Sequence, residues 1–247
     1  EAPPWSERLR YMADIFQRHR PDLLGLQELG PGNVAQIERL LPHHRAVRRV
    51  LDPDATIFYD TERFELRDAG HYWLSQRPDI SPFPSWDVSG PRTVVWAQLY
   101  DRLAGRELLV VNTHFDNNSP NKLPSAQLLL ARTAPFAAMH IVVTGDFNTG
   151  PGDEPYTLLV SGEPTGGFAL IDTQTQVPAR LESNDQQLLA LCPGADCPVR
   201  DIDHIFIGPN GLKTLDFVTD LWRYGQPPSF PSDHRAIAAT LAYPASR

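Results

Sequence analysis

The stretch that most constrains this chain is Ile141-Val142-Val143-Thr144, running into Gly145-Asp146-Phe147-Asn148. Four residues dominated by β-branched side chains read as a buried strand, and Gly-Asp ends that strand in a turn. Alternate residues of an extended segment point the same way, so Asp146 and Asn148 are expected to share one pocket. A carboxylate beside a neutral amide suits a hard cation and a phosphoryl oxygen together. Asp and Asn are also ordinary turn formers. The stretch therefore gains meaning from company elsewhere in the chain.

That company is a set of other strand-like runs that end on polar groups. Pro21-Asp22-Leu23-Leu24-Gly25-Leu26-Gln27-Glu28 reads as a buried strand delivering an acid, Glu28, just before the turn Gly30-Pro31-Gly32. Glu107 to Val111 leads to Asn112-Thr113-His114, with the polar loop Phe115 to Ser119 leaving a site open beside His114. Arg92 stands ahead of the strand Thr93–Tyr100, where its guanidinium fork would match phosphate oxygens. Late in the chain, Asp201 and Asp203 share one face of a β-rich run and His204 takes the other. Asp233-His234 sets a carboxylate next to an imidazole, the pairing that fixes a histidine tautomer and stabilises its charged form.

The remaining segments read as scaffold. Trp5, Leu9, Met12, Ala13 and Phe16 recur at helical spacing, which predicts a helix over Trp5–Arg20 stopped by Pro21. A short helix is expected at Asn33–Leu41 with Asn33 as its cap. Strands are expected at Thr56–Tyr59, Phe64–Arg67 and Tyr72–Leu74, then a Pro-rich loop from Arg77 to Pro91. Pro124 to His140 reads as a helix bent near Pro135, and Tyr156–Val160 as another.

No linker, charge block or repeat divides residues 1–247, so one domain is expected. The chain has 24 prolines, spread through loops such as Arg77 to Pro84 and Gln226-Pro227-Pro228, which argues for fixed turns, not disorder. No apolar stretch approaches the roughly 20 residues that span a bilayer, so no transmembrane segment is expected. A net charge of −8 counts against a protein that grips long nucleic acid by its backbone. It leaves room for a phosphate substrate, because metal-binding carboxylates contribute negative charge that a cation offsets. Zinc chemistry lacks a His-x-x-x-His pair, and the adjacent His43 and His44 read as surface. Cys192 and Cys197 cannot complete a four-ligand zinc site. Their spacing favours a short disulfide loop over two idle thiols, and with it an oxidising compartment, secreted or periplasmic; idle thiols would fit a cytoplasmic protein.

Taken in order, Leu26-Gln27-Glu28, Thr113-His114, Gly145-Asp146-Phe147-Asn148, Ile202-Asp203-His204 and Ser232-Asp233-His234 resemble the motifs of the endonuclease/exonuclease/phosphatase superfamily. The resemblance runs from about Trp5 to Leu241. It implies the deoxyribonuclease-I-like fold, a four-layer α/β sandwich of two packed mixed β-sheets flanked by helices. It also implies a Mg²⁺-dependent phosphoesterase, with Mn²⁺ as a substitute ion, acting as a monomer on a nucleic acid, a lipid head group or a small phosphate ester. Carried over by position, Glu28, Asp146 and Asp233 look like metal ligands. Asp146, Asn148, His114, Asp203, Asp233 and His234 look catalytic, with Asp233 orienting His234 and Asp203 assisting the metal or the histidine. Arg92, Asn148 and His114 look like the phosphate-binding set. Members usually begin with a central strand carrying an Asn, which this chain is expected to lack ahead of Trp5. The rival expectation is a catalytically silent binding module on the same scaffold.

Overall fold

The computed structural model describes residues 3–52, 54–83, 85–86, 90–163, 166–192, 199 and 201–245. The chain runs α1 (Trp5–His19), β1 (Leu23–Leu26), α2 (Val34–Leu40), β2 (His44–Arg48), β3 (Thr56–Asp60), β4 (Phe64–Trp73), β5 (Thr93–Asp101) and β6 (Arg106–His114). It continues through α3 (Ser119–Thr133), β7 (His140–Asp146), α4 (Glu154–Ser161), β8 (Ile171–Asp172), β9 (Arg180–Glu182), α5 (Gln186–Leu191), β10 (Asp203–Ile207), β11 (Lys213–Asp220) and β12 (Ala236–Ala242).

A six-stranded mixed sheet, ordered β4-β5-β6-β7-β10-β8, forms the centre. Its Val- and Leu-rich middle strands are covered on both faces, as such continuous apolar runs require. On one face Leu109, Val111, Ile141, Val143 and Phe206 pack against Leu129 and Leu130 of α3 and Tyr156 and Leu159 of α4. On the other, Val95, Ala97, Leu108, Val110 and Val142 pack against Ile57 and Tyr59 of β3 and against Leu241 of β12. The second sheet layer comprises two three-stranded pieces, β1-β3-β2 and β12-β11-β9. Outside it, Phe16 of α1 and Val34 and Ile37 of α2 cover Phe58, Leu24 and Leu26. The expected four-layer α/β sandwich is the observed one.

A buried amide locks the two sheet layers together. Asn112 of β6 donates its Nδ2 hydrogens to Leu26 O and Thr56 O, both at 3.0 Å. Its Oδ1 accepts from Gln27 Nε2 at 2.8 Å and from the Thr144 hydroxyl at 3.0 Å. The β1 backbone comes so close here that a Cβ on Gly25 would lie 2.3 Å from Thr144 Oγ1 and 2.7 Å from Asn112 Oδ1. Only glycine fits. Asn112→Leu takes a partner from two carbonyls and from the Gln27 amide, while the Thr144 hydroxyl keeps Val111 O at 3.3 Å, so urea unfolding should show a loss of about 2–4 kcal/mol. An unchanged midpoint would show that water replaces the amide.

Several local expectations are corrected. Phe64–Arg67 and Tyr72–Leu74 are parts of one strand, β4, whose register shifts between Leu66 and Asp68. The β1 strand is half-buried along its length, not buried. Asn33 has helical φ/ψ and makes no capping side-chain bond. The long helix starts at Ser119, which puts Pro124 inside it; it gives way to a short 3₁₀ turn at Ala134–Phe136. His44 is buried, with Nε2 2.8 Å from Pro21 O, while His43 stays exposed beside Glu62. Cys192 is disulfide-bonded; Cys197 lies outside the described residues. Among the described residues no helix is long and apolar enough to cross a membrane.

Candidate active site

The sheet register itself assembles the site. At the end of the parallel pair β6–β7, His114 lies opposite Asp146, and the antiparallel pair β7–β10 sets Asp203 opposite the same residue. Directly opposed side chains on one face sit about 5 Å apart. All three share the face of Val110 and Val142, because side chains alternate along each strand. His234 enters from the segment ahead of β12.

Two Asp–His pairs converge on Asp146. His234 Nδ1 is 2.7 Å from Asp203 Oδ2, and its Nε2 is 3.8 Å from Asp146 Oδ2. His114 Nδ1 is 3.0 Å from Asp54 Oδ1, and its Nε2 is 3.6 Å from the same Asp146 oxygen. Those last separations are too long for hydrogen bonds, so both Nε2 atoms remain available to a ligand. Arg92 completes the wall: its Nη1 is 2.9 Å from His114 Nδ1 and 3.4 Å from Asp54 Oδ2, and its Nε is 3.7 Å from Asp116 Oδ2.

The electrostatics follow from burial and neighbours. Asp146 is buried, which raises its proton affinity, and the Asp203 carboxylate raises it further. His234 is pushed up to about 9, first by its hydrogen bond to Asp203. Burial lifts Asp54, but the His114 hydrogen bond and the His114 and Arg92 charges outweigh it and hold the carboxyl below its ordinary value.

Asn148 reaches the site by a route other than strand alternation. The β7 strand ends at Asp146, and Asn148 adopts a left-handed φ of 49°. Its N–H returns to Asp146 Oδ1 at 2.8 Å, and its Nδ2 donates to Phe115 O at 2.9 Å. Non-glycine residues in this conformation are strained and gather at functional sites. Glu28 shares the feature, with φ 61° and its N–H bonded to Asp54 Oδ1 at 3.2 Å.

Two expected roles are redrawn. The carboxylate hydrogen-bonded to His234 is Asp203, whereas Asp233 is exposed and its charge is the smallest of those that favour the imidazolium. Among the described residues, the group whose ligand atoms lie within 4.8 Å of one another is Asp146, Asp203 and His234. Glu28 and Asp233 fall outside it, Glu28 with an exposed side chain. Asp54 is not foreseen from the sequence, because it meets a histidine 60 positions away from a loop without any motif.

A buried carboxylate beside a second one, two imidazoles and a guanidinium is suited to holding a phosphoryl group and activating water. Among solved structures, a mannosyl-6-phosphatase of Bacteroides thetaiotaomicron aligns at 25% identity and a TM-score of 0.79, covering 97% of this chain and 92% of that one. An endonuclease/exonuclease/phosphatase of Bacteroides vulgatus aligns at 24% identity and TM-score 0.81, over 97% and 92%. TDP2 of D. rerio, complexed with a single-strand DNA product, aligns at 16% identity and TM-score 0.69, over 96% and 92%. These last two likenesses show the fold. A search of curated proteins gave no match. The model of the Endonuclease/Exonuclease/phosphatase family matches residues 1–234, and the chain belongs to that family.

Proposed function

We propose that the protein is a divalent-metal-dependent phosphoester hydrolase in which water attacks phosphorus in line at Asp146. The convergence of the Asp203–His234 and Asp54–His114 pairs on one Asp146 oxygen carries this reading. Asp146, whose proton affinity burial has raised, accepts a proton from the attacking water. His234 is pushed up to about 9, first by its hydrogen bond to Asp203, which favours the imidazolium that binds a phosphoryl oxygen and can protonate the leaving group. His114, Asn148 and Arg92 hold the other phosphoryl oxygens. Asp203 and Asp54 keep the two rings turned inward.

The donor chemistry fits a hard cation. Asp146 and Asp203 bring two carboxylates together, and the resulting repulsion on Asp146 is what a divalent ion would relieve. Those two residues would hold Mg²⁺, or Mn²⁺ in its place, and the ion would supply neutralisation of the charge on the phosphoryl group.

A small phosphate ester is the substrate class we favour. The likeness to a mannosyl-6-phosphatase at 25% identity and the net charge of −8 both point away from a long anionic polymer. Release of phosphate from sugar phosphates in Mg²⁺, abolished by chelator and restored by added Mg²⁺ or Mn²⁺, is the expected result. A panel should also contain a phosphodiester and single-stranded DNA. Turnover indifferent to chelator removes the metal from the proposal, and faster turnover of DNA reverses the substrate class.

A further inference from the structure

Behind the catalytic face lies a buried histidine that the proposed chemistry does not use. His204 follows Asp203 in β10, so its side chain projects to the opposite face of the sheet. It is 2% exposed. Its Nδ1 is 3.0 Å from Asp172 Oδ2, and that same oxygen accepts from the Tyr156 hydroxyl at 3.0 Å. The ring packs against Phe206, Tyr156 and Phe147, with centroids 5.1, 5.1 and 5.7 Å away. Its Nε2 is 3.0 Å from the carbonyl oxygen of Thr149. A carbonyl can only accept, so Nε2–H is the donor.

Thr149 is the residue after Asn148, and the Asn148 backbone is the strained one. A left-handed asparagine costs free energy and persists only where its surroundings hold it. Three ties act on this short loop from the start of β10 and the segment before it. Phe147 N–H donates to Ile202 O at 2.9 Å, and Gly150 lies so near Asp201 that a Cβ there would sit 1.9 Å from Asp201 O. The third tie is His204. It is the only one of the three made by a side chain, and it grips the Thr149–Gly150 peptide unit, one residue beyond Asn148.

We infer that His204 is a positioning residue: through its Nε2–H bond to Thr149 O, braced by Asp172 and Tyr156, it fixes the loop that presents Asn148 to the substrate phosphate. The Asp203-His204 dipeptide thus serves the site from both faces, one side chain turning His234 and the other holding Asn148. The effect on turnover rests on the phosphoesterase reading above; the effect on the loop does not.

Two amide substitutions separate the two ring nitrogens. His204→Gln can keep a donor near the Nε2 position and so the Thr149 tie. His204→Asn can keep a donor toward Asp172 but cannot reach Thr149. The expected result is a kcat about 10–100-fold lower in H204N with KM little changed, since misplacing a group that acts in the transition state costs this order of rate. H204Q should recover most of it. Amide hydrogen exchange at Phe147, Asn148 and Gly150 should quicken in H204N and stay near wild type in H204Q. If H204N does not fold, Asp172→Asn, which leaves the ring in place but weakens its brace, should quicken the same amides. Equal losses in H204N and H204Q, or a lowered melting temperature with unchanged kcat and unchanged loop exchange, would overturn the assignment. A wild-type protein inert toward every ester refutes the enzymatic reading alone, and the exchange measurement still decides the positioning role.

Discussion

Asp146→Asn should lose at least about 10³-fold in kcat, the upper part of the range for removing a general base that also anchors a catalytic ion. Both histidines face the oxygen this carboxylate presents, and the Asp203 carboxylate sits across the strand pair from it. Asn is the informative substitution because it keeps Oδ1 for the Asn148 N–H, so the loop turn survives. Stability separates this loss from misfolding. The Asp146 carboxyl is raised above its ordinary value by burial and then by Asp203. A carboxylate raised on folding favours the fold while protonated and costs stability as pH climbs through the shifted value. At neutral pH, without metal, the charge is therefore a burden, and Asp146→Asn should melt no lower than wild type. Added Mg²⁺ should raise the wild-type melting temperature and leave the variant unmoved, since a ligand stabilises only the state that binds it. A variant that melts lower and turns over proportionately less would mean that Asp146 is structural. A variant with full turnover would end its role as base.

The separation between what sequence patterns reveal and what they hide follows the range of each interaction. Strand β7 and its Asp146 are legible because β-branched residues, Gly and Asp lie side by side and act locally. The helix α1 is legible for the same reason, its apolar stripe and Pro21 being neighbours along the chain. Edge and connecting strands are different. The His44–Arg48 strand carries three basic residues in five and β9 is three residues long, so neither offers a period to detect. Asp233 looks like the partner of His234 because it is adjacent, yet the chain bends through residues 231–234 and leaves Asp233 exposed. The true partner, Asp203, is 31 positions away and is brought in by β10 pairing with β7. Asn148 shows a subtler limit. Its place at the site is readable, but the extended backbone that would put it there is not what forms. A turn does so, and contacts on it come from residues 202 and 204, far along the chain.

Asp203→Asn tests the Asp203–His234 pair, and its effect should be seen in titration as well as rate. In the chelated protein, NMR of the His234 ring should place its midpoint near 9, because the hydrogen bond to Asp203 and then its charge favour the imidazolium. Replacing Asp203 with a neutral amide of the same shape should bring that midpoint down toward the ordinary value of about 6.5. Asp233 is the decisive control, since Asp233→Asn should move the midpoint little. The sign for stability follows from linkage. A histidine raised on folding contributes fully below its ordinary pKa and loses that contribution as pH rises through about 9. The stability advantage of wild type over Asp203→Asn should accordingly shrink between pH 6.5 and 9. Turnover should fall by about 10²–10⁴, the range for a positioned proton-transfer group. What activity remains should decline at lower pH than in wild type, because His234 then sheds the proton it owes to the phosphate and the leaving group. If the midpoint stays near 9 without Asp203 and falls without Asp233, the order of the two acids is reversed, and the sequence-adjacent pair is the working one after all.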